Sequence, residues 1–418
     1  MITRDELLKK FGVTEVDEKQ GLLLDAVFDN TIEEYERSGV YYANREFILD
    51  IQKKYRPFTE YFDFVMERVE SFSKREDFKL FSLLLHRMLE YSRDNGSEIF
   101  SMFKREKFSS VEDEVDFEFT GFFAELAFVH EMADYYFKRG LPKECFTDTI
   151  HDMYETAGIY AYSLSAGRLG YNNTTYFSWN QYYVYHKIVK IGELNFEIDH
   201  PFYDYVIALK NNKNGEYKLL AYNKGVLSNG MTEGSFGIEE RDFFADFTET
   251  PDSYIGYEID EEKERVTKNK VSLSKSEWSV AIRPGDNFLN VHIPRRGKIN
   301  SENNEAAYRE AIRLHRIMFP EKDLKAIVCT SWLLSPDLKE LLSESSNIIA
   351  FQSKFHKYPI KATGKTVFSF AFPNAVEKYE DLAEDTSLQR KIKSRYLEGK
   401  SITEGSGIIF FDEIKQPF

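Results

Sequence analysis

One stretch of this chain, residues 287–319, constrains the fold most, because it predicts a strand, a turn and a helix in direct succession. Val291 and Ile293 belong to a short apolar run that is typical of a buried strand. Pro294 has no N–H to donate and therefore ends that strand. The helix is predicted from apolar residues that recur on one face at helical spacing: Ala307, Ala311, Leu314 and Met318.

The turn between this strand and this helix is basic, and it consists of Arg295, Arg296, Gly297 and Lys298. Asn300 or Ser301 can cap the helix that follows. Free backbone amides at a helix N-terminus, together with added positive charge, favour an anion such as a pyrophosphate. We therefore expect the chemistry of this protein to lie near this turn.

The composition limits the partners. The chain has 418 residues, enough for two or three domains, and a formal net charge of −15. Such an acidic protein repels nucleic acid except at a local basic patch, and the turn at 295–298 is too small for a duplex. It suits one nucleotide-like ligand.

The compartment and the metal content follow from a few residues. Cys145 and Cys329 lie far apart and form no CxxC pair, so a disulfide framework or a cysteine-rich zinc site is not expected. His130 and Glu131 begin an incomplete metalloprotease motif, HEMAD, with Asp134 in place of the second histidine, and no metal is predicted. The polar N-terminus and the absence of an apolar run of roughly 20 residues predict a cytoplasmic protein without a membrane segment.

Residues 1–170 are predicted to form a helical domain. Apolar residues recur at helical spacing in DFKLFSLLLHRMLEYSRD and in GFFAELAFVHEMADYYFK. Gly140 and Pro142 provide a stop signal after the second segment. Another helix is expected over DTIHDMYETAGIYAYSL.

Residues 171–418 are predicted to form a mixed domain of strands and helices. GELNFEI alternates as a half-buried strand does, and YDYVIALK and EYKLLAYN flank a hairpin turn at Asn214–Gly215. NKVSLS is read as a strand and SKSEWSVAI as a short capped helix. After the basic turn, strands are expected at 325–333, 347–355 and 366–371, a helix at 335–342, a helix capped by Asp385 or Thr386, and a closing strand in GIIFFDEI. This order implies right-handed crossovers and locally parallel pairing.

A few polar residues near the predicted sheet are candidate functional groups. His292 alternates away from Val291 and Ile293, and both a structural and a functional role are open. Cys329 and Ser331 lie where a strand ends and a helix begins, although a small buried cysteine is the commoner outcome. Glu193 and Glu197 share one strand face and are candidates for paired carboxylates, although a solvated surface is the simpler interpretation.

Four segments in this order, RPGDNFLNVHIPRRG, CTSWLLSPDLKELL, SSNIIAFQSKF and EDTSLQRKI, resemble a family of bacterial acyltransferase-domain proteins. Members pair an N-terminal helical domain with a C-terminal GNAT-like, N-acetyltransferase-like domain. The resemblance implies an α+β fold in which a GNAT-like mixed sheet is flanked by helices. Two central parallel strands, at 287–294 and 325–333, would splay apart to admit the pantetheine arm of an acyl-CoA.

The resemblance also implies an activity: transfer of an acyl group, with acetyl-CoA expected as the donor, to the amine of a small acceptor. The residues expected to bind the acyl-CoA are Val291, Ile293, Arg295, Arg296, Gly297, Lys298 and Asn300. GNAT enzymes carry Q/R-x-x-G-x-G/A at this turn, whereas this chain has one glycine, and Arg296 stands where relatives have another. That arginine either adds a phosphate contact or crowds the backbone.

Attack of a neutral amine on a thioester needs a base, and an acid can protonate the departing thiolate. We assign the base to His292 and the acid to Tyr358, with Cys329 and Ser331 as further candidates lining the slot. The alternative is a non-catalytic module that acts as an acyl-CoA sensor or a protein-interaction scaffold, since fold alone does not establish function. Contacts of Arg295, Arg296 and Lys298 with a nucleotide would favour the enzyme, and ion pairs with acidic residues of the helical domain would favour the scaffold. The acceptor and the oligomeric state are not readable from the sequence.

Overall fold

The computed structural model describes residues 2–97, 103–171, 175–198, 202, 205–372 and 376–414. The chain divides into two compact units. The first contains residues 1–191 together with 294–296, and the second contains residues 192–293 and 297–418. The boundary predicted after residue 170 thus precedes the end of the first unit.

The first unit is helical, as predicted. Its α-helices are α1 Arg4–Lys10, α2 Glu18–Ser38, α3 Arg45–Tyr55, α4 Phe62–Phe72, α5 Glu76–Asp94, α6 Val111–Leu126, α7 Val129–Lys138, α8 Lys143–His151, α9 Ala161–Ala166 and α10 Thr175–Val184. A π-helix, Asp152–Tyr160, joins α8 to α9. Three short strands complete the unit: β1 Val13–Glu15, β2 Lys104–Arg105 and β3 Ile188–Ile191. None of the described helices combines the length and the apolar character that crossing a bilayer requires.

The second unit contains an antiparallel sheet that precedes the basic turn in the sequence. Its strands are β5 Val206–Asn211, β6 Tyr217–Ala221, β9 Thr248–Glu249, β10 Ser253–Asp260, β11 Arg265–Ser274 and β12 Trp278–Ile282, in the order β11-β10-β6-β5-β12 with β9 on β10. The predicted hairpin is confirmed, since β5 pairs with β6 around Asn214–Gly215 and Gly215 has a φ of 78°. A small ribbon, β7 Lys224–Val226 with β8 Phe243–Ala245, lies between these strands in the sequence.

The second sheet of this unit is mixed, and it positions the candidate site. Its strands are β4 Leu194–Glu197, β13 Asn287–His292, β14 Leu324–Ser331, β15 His356–Pro359 and β16 Gly405–Phe410, in the order β15-β16-β14-β13-β4. β13 and β14 are parallel, and the other pairs are antiparallel. One face packs against the antiparallel sheet through side chains that include Val206, Leu219, Val328, Ile408 and Phe410.

The other face of the mixed sheet is covered by α11 Ser301–Met318, which directly follows the basic turn. The Asn300 side chain accepts a hydrogen bond from the Asn303 backbone N–H at 3.3 Å, and the helix is capped as predicted. The four residues predicted to form its apolar face are all at most 4% exposed. After β14 the described part of the unit also contains the helices α12 Leu338–Leu341, α13 Asn347–Gln352, α14 Thr366–Ala371 and α15 Ser387–Leu397. The predicted α+β class is confirmed.

Three predicted elements are wrong. Residues 347–352 form a helix, because Ser346 caps it by accepting a hydrogen bond from the Ile348 N–H, and the strand starts only at His356. Residues 366–371 are helical and do not extend the sheet. Residues 278–282 form a strand, since pairing of Trp278 with Asn211 on β5 outweighs the local capping signal.

Candidate active site

The two parallel strands of the mixed sheet separate before they end. Their pairing runs from Asn287 opposite Leu324 to Asn290 opposite Val328. Beyond that point, the described residues of β13 pair with β4 alone, and those of β14 pair with β16 alone. The strand ends at 291–292 and 329–331 therefore border a gap in the sheet, at the place where the sequence predicted a slot.

His292 lies at this gap and contacts a buried carboxylate. Its Nε2 is 2.7 Å from Oε2 of Glu197, which also accepts a hydrogen bond from the Asn290 amide at 3.3 Å. The His292 side chain is 28% exposed, whereas the Glu197 side chain is only 4% exposed. A buried carboxylate in hydrogen-bond contact with one ring nitrogen holds the imidazole in a fixed orientation beside the gap.

Glu197 was not expected to take part, and the prediction of a solvated strand face is wrong. Every residue of β4 is buried, so the alternation of apolar and polar residues does not correspond to a wet face. Glu193 lies outside the strand, and its carboxylate accepts a hydrogen bond from the Lys298 backbone N–H at 3.2 Å. The alternation of polar residues was the available signal, but only the register of β4 against β13 reveals the partner of Glu197.

A chain of hydroxyl groups leads away from the other side of the gap. Thr330, an exposed residue of β14, has its Oγ1 2.9 Å from the Ser406 hydroxyl, which donates to the Tyr358 hydroxyl at 2.9 Å. Asn290 and Val328 are neighbours in register, so His292 and Thr330, two residues further on, share one face of the sheet. Tyr358 itself is fully buried in the core between the two sheets. Among the described residues, Ser406 and Thr330 connect it to the gap.

The two reserve candidates occupy structural positions. Cys329 is 1% exposed, and burial raises the pKa of its thiol to about 12, so the thiol is protonated at neutral pH. The Ser331 hydroxyl accepts a hydrogen bond from the Leu333 N–H at 3.1 Å and caps a short 3₁₀ helix. Both residues border the gap through their backbone.

Arg296 is engaged within the first unit. Its two terminal nitrogens donate to the two carboxylate oxygens of Glu60 at 2.8 and 2.9 Å, and the guanidinium lies 3.7 Å from the ring centre of Tyr160. Glu60 in turn raises the pKa of Arg296. This ion pair with an acidic residue of the helical unit is the contact that the scaffold hypothesis anticipated.

The rest of the basic turn differs from Arg296. Lys298 is exposed, and its ammonium has no ion pair among the described residues. Gly297 and Lys298 immediately precede the cap of α11, whose N-terminal amides point toward this end. Val291 is buried at the gap, and Ile293 packs on an apolar cluster that includes Trp332. Arg295 belongs to the first unit, and its contact with a phosphate stays a prediction.

No described group of three or more histidine, cysteine, aspartate or glutamate side chains is arranged to hold a metal ion. A surface hollow of about 480 Å³ does occur in the first unit, lined by residues that include Lys53, Arg56, Lys143 and His151. It contains none of the residues singled out from the sequence. The hydrogen-bonded polar groups at the strand gap, and not this hollow, mark the candidate site.

The strand order β13-β14-β16-β15, with a parallel pair that opens beside a helix N-terminus, defines the GNAT-like class of fold. The family model of the GNAT-like C-terminal domain matches residues 188–409, so the chain belongs to this family. The predicted family is confirmed. Among curated proteins, no sequence is significantly similar to this chain.

Solved structures share the fold along almost the whole chain. An acyltransferase in complex with decanoyl-CoA and teicoplanin has a TM-score of 0.63 and 14% identity, over 97% of this chain and 98% of that chain. A mutant acyltransferase with octanoyl-CoA (TM-score 0.61) and an acyltransferase with CoA and 10C-teicoplanin (TM-score 0.62) match with the same identity and coverage. All three are acyltransferases bound to CoA or an acyl-CoA, in agreement with the predicted class of enzyme.

Proposed function

We propose that this protein is an acyl-CoA-dependent acyltransferase that moves an acyl group to an amine. The observation that carries the proposal is the opening between β13 and β14, with the His292–Glu197 pair at its edge. Unpaired strand ends leave backbone N–H and C=O groups for the amides of a pantetheine arm. The family and the acyl-CoA complexes of the solved relatives support the same assignment.

The diphosphate of the acyl-CoA is assigned to the turn at the start of α11. Gly297 allows close approach of the backbone, Lys298 supplies a cation, and the N-terminal amides of the capped helix supply donors. Asn300 holds the first turn of the helix in place. Arg296 is assigned a structural role, because Glu60 already satisfies its guanidinium.

His292 is assigned the role of the base that accepts the proton of the attacking amine. Glu197 positions the imidazole through the contact with its Nε2. Placing the amine and the thioester side by side contributes more than proton transfer does, because a thioester is already activated. Thr330, Ser406 and Tyr358 are assigned to proton supply for the departing thiolate, with Thr330 as the member that borders the gap.

The acyl length and the acceptor define the finer part of the proposal. Acetyl-CoA was expected from the family resemblance, whereas the solved relatives contain decanoyl-CoA and octanoyl-CoA. The donor series must therefore extend from acetyl to decanoyl. Because two relatives were solved with teicoplanin or its 10C derivative, teicoplanin belongs in the acceptor screen beside small amines.

The second candidate function is an acyl-CoA sensor or an interaction scaffold. One observation favours it: the ion pair between Arg296 and Glu60 takes a cation of the predicted phosphate turn away from any nucleotide. Binding of acyl-CoA without turnover would support the sensor. Absence of binding would support the scaffold.

The first experiment is a thermal-shift series with CoA, acetyl-CoA, octanoyl-CoA and decanoyl-CoA. Ligand at about a hundred times its dissociation constant stabilises the protein by about 2.7 kcal/mol, which is readily measured. No shift with any of the four would contradict the proposal. Lys298→Ala is expected to reduce the shift.

The second experiment measures CoA thiol release with an acceptor that emerges from the screen. His292→Ala is expected to lower kcat by about 10²- to 10⁴-fold, as loss of a general base does. Glu197→Gln is expected to lower kcat by about 10- to 100-fold, the equivalent of one hydrogen bond to a charged group. The matched control is Glu258→Gln, in which the glutamate bonds Lys218 on the antiparallel sheet. Unchanged turnover in His292→Ala would end the role of the histidine.

A further inference from the structure

Two polar side chains of α11 are buried and lack hydrogen-bond partners. Asn304 and Tyr308 are each 3% exposed. Both carboxamide atoms of Asn304 and the hydroxyl of Tyr308 have no partner among the described residues. Leaving a buried polar group unpaired typically costs about 1–3 kcal/mol, and native proteins contain few such groups. Three such atoms on two side chains one helical turn apart therefore indicate a ligand that completes them.

The position of Tyr308 places these atoms over the strand gap. Its ring packs edge-on against Phe196 of β4 at 6.2 Å between ring centres, and Phe196 lies opposite Val291 of β13. Burial, and to a lesser extent the nearby Cys329 of β14, raise the pKa of Tyr308. A side chain that is near both β4 and β14 spans β13 and the gap between β13 and β14.

Asn304 lies on the same face of α11, one turn closer to the basic turn. Residues four apart on a helix are neighbours on one face, separated by a rise of about 6 Å. The pantetheine arm contains two amides separated by two methylene groups. Those amides are about 5 Å apart, given 3.8 Å for an ordinary peptide unit and one extra carbon. The spacing of the two side chains thus matches the spacing of the two amides.

We propose that Asn304 and Tyr308 hydrogen-bond the two amides of the pantetheine arm from the α11 side of the gap. The proposal depends on the acyl-CoA-dependent function proposed above. It adds these two side chains of α11 as a second wall of the gap. Asn304 offers one donor group and one acceptor, which complements both atoms of one amide. Tyr308 offers a hydroxyl to the other. His292 and Thr330 occupy the opposite face, so the reactive side and the carrier side of the gap are separate.

The experiment is calorimetric titration of the full chain with CoA and, separately, with adenosine 3′,5′-bisphosphate, which has no pantetheine arm. Tyr308→Phe and Asn304→Leu are expected to weaken CoA binding by about tenfold, the usual consequence of one lost hydrogen bond to a buried group, and to leave binding of the bisphosphate unchanged. The matched control is Tyr136→Phe, which removes the hydroxyl of another fully buried tyrosine, in the first unit. Its CoA affinity is expected to equal that of the wild type.

The outcomes separate the two proposals. Equal CoA affinity in wild type, Tyr308→Phe and Asn304→Leu overturns the role of these side chains and leaves the acyl-CoA function standing, and ordered water would then be their partner. An equal loss for CoA and for the bisphosphate also overturns it, because the defect would lie outside the pantetheine contact. Wild type that binds neither probe overturns the proposed function itself. Should Asn304→Leu fail to fold, Tyr308→Phe decides, since removing an unpaired buried hydroxyl does not destabilise the free protein.

Discussion

Replacing Arg296 by alanine tests whether the cation of the turn serves the fold or the ligand. The sequence suggested a phosphate contact, whereas the structure pairs the guanidinium with both carboxylate oxygens of Glu60 and stacks it on Tyr160. We predict that Arg296→Ala lowers the stability of the protein and leaves its affinity for CoA within about twofold. Lys298→Ala is predicted to leave the stability unchanged and to lower the affinity for CoA.

The magnitude follows from the exposure of the pair. The Arg296 and Glu60 side chains are 33% and 56% exposed, and such ion pairs contribute about 0.2–1 kcal/mol even with good geometry. A cation stacked on a tyrosine at this distance adds about 0.5–1 kcal/mol. The expected loss is thus about 1–2 kcal/mol. For a unit of this size it corresponds to a fall in Tm of about 2–8 °C.

The assay combines urea unfolding with CoA titration at two salt concentrations. Glu60→Ala completes a double-mutant cycle with Arg296→Ala, and the stability losses of the two single variants are expected not to add, because they break one pair. In Lys298→Ala the CoA affinity is expected to fall by several-fold at low salt and by less at high salt. Unchanged stability of Arg296→Ala together with a tenfold loss of CoA affinity would refute this reasoning and return Arg296 to the phosphate site.

Three further predictions concern other groups of the second unit. Burial lowers the pKa of His356, but the hydrogen bonds to Glu261 and Glu413 outweigh burial. The net effect raises the pKa of this histidine to about 9. The stabilisation by this histidine is complete below the unfolded pKa near 6.5 and is lost as the pH rises through about 9. Urea unfolding should therefore show wild type losing about 2–3 kcal/mol more than His356→Gln between pH 6 and pH 10. Cys329, whose thiol pKa is about 12, should resist a thiol reagent at pH 8 until the protein unfolds, and rapid labelling of the native protein would contradict its burial. Glu404 accepts hydrogen bonds from three backbone amides and one hydroxyl at residues 363–366. Glu404→Gln should therefore lower the free energy of unfolding by about 2–3 kcal/mol in the same assay. A loss below about 0.5 kcal/mol would show that this turn does not depend on the carboxylate.

Local sequence signals predicted the elements whose determinants are local. The strand that Pro294 ends, the cap at Asn300 and the hairpin at Asn214–Gly215 depend on residues within a few positions of one another, and all three are confirmed. The helix at 347–352 was misread because its central residues, 348–351, are all apolar, and a short apolar run fits a strand and a buried helix equally well.

The candidate site was predictable only in part, since its contacts join distant residues. His292 was identified from its place beside the turn, but its partner Glu197 lies 95 positions earlier in the chain. Arg296 and Glu60 are 236 positions apart, and no local pattern reveals their ion pair. The buried state of Tyr358 depends on the packing of one sheet on the other, which its strand alone does not encode.

The separation of the gap into two faces depends on the register of one strand. Successive side chains of a strand point to opposite faces, so Val291 and His292 lie on opposite sides of β13. The pairing of Asn290 with Glu197 and of Val291 with Phe196 fixes which of them meets α11 and which meets the carboxylate. A shift of one residue would exchange the two, turning the imidazole toward Tyr308 and leaving Glu197 buried without its partner. The hydrogen bond between His292 and Glu197 therefore depends on the same register that places the proposed base on the face opposite α11.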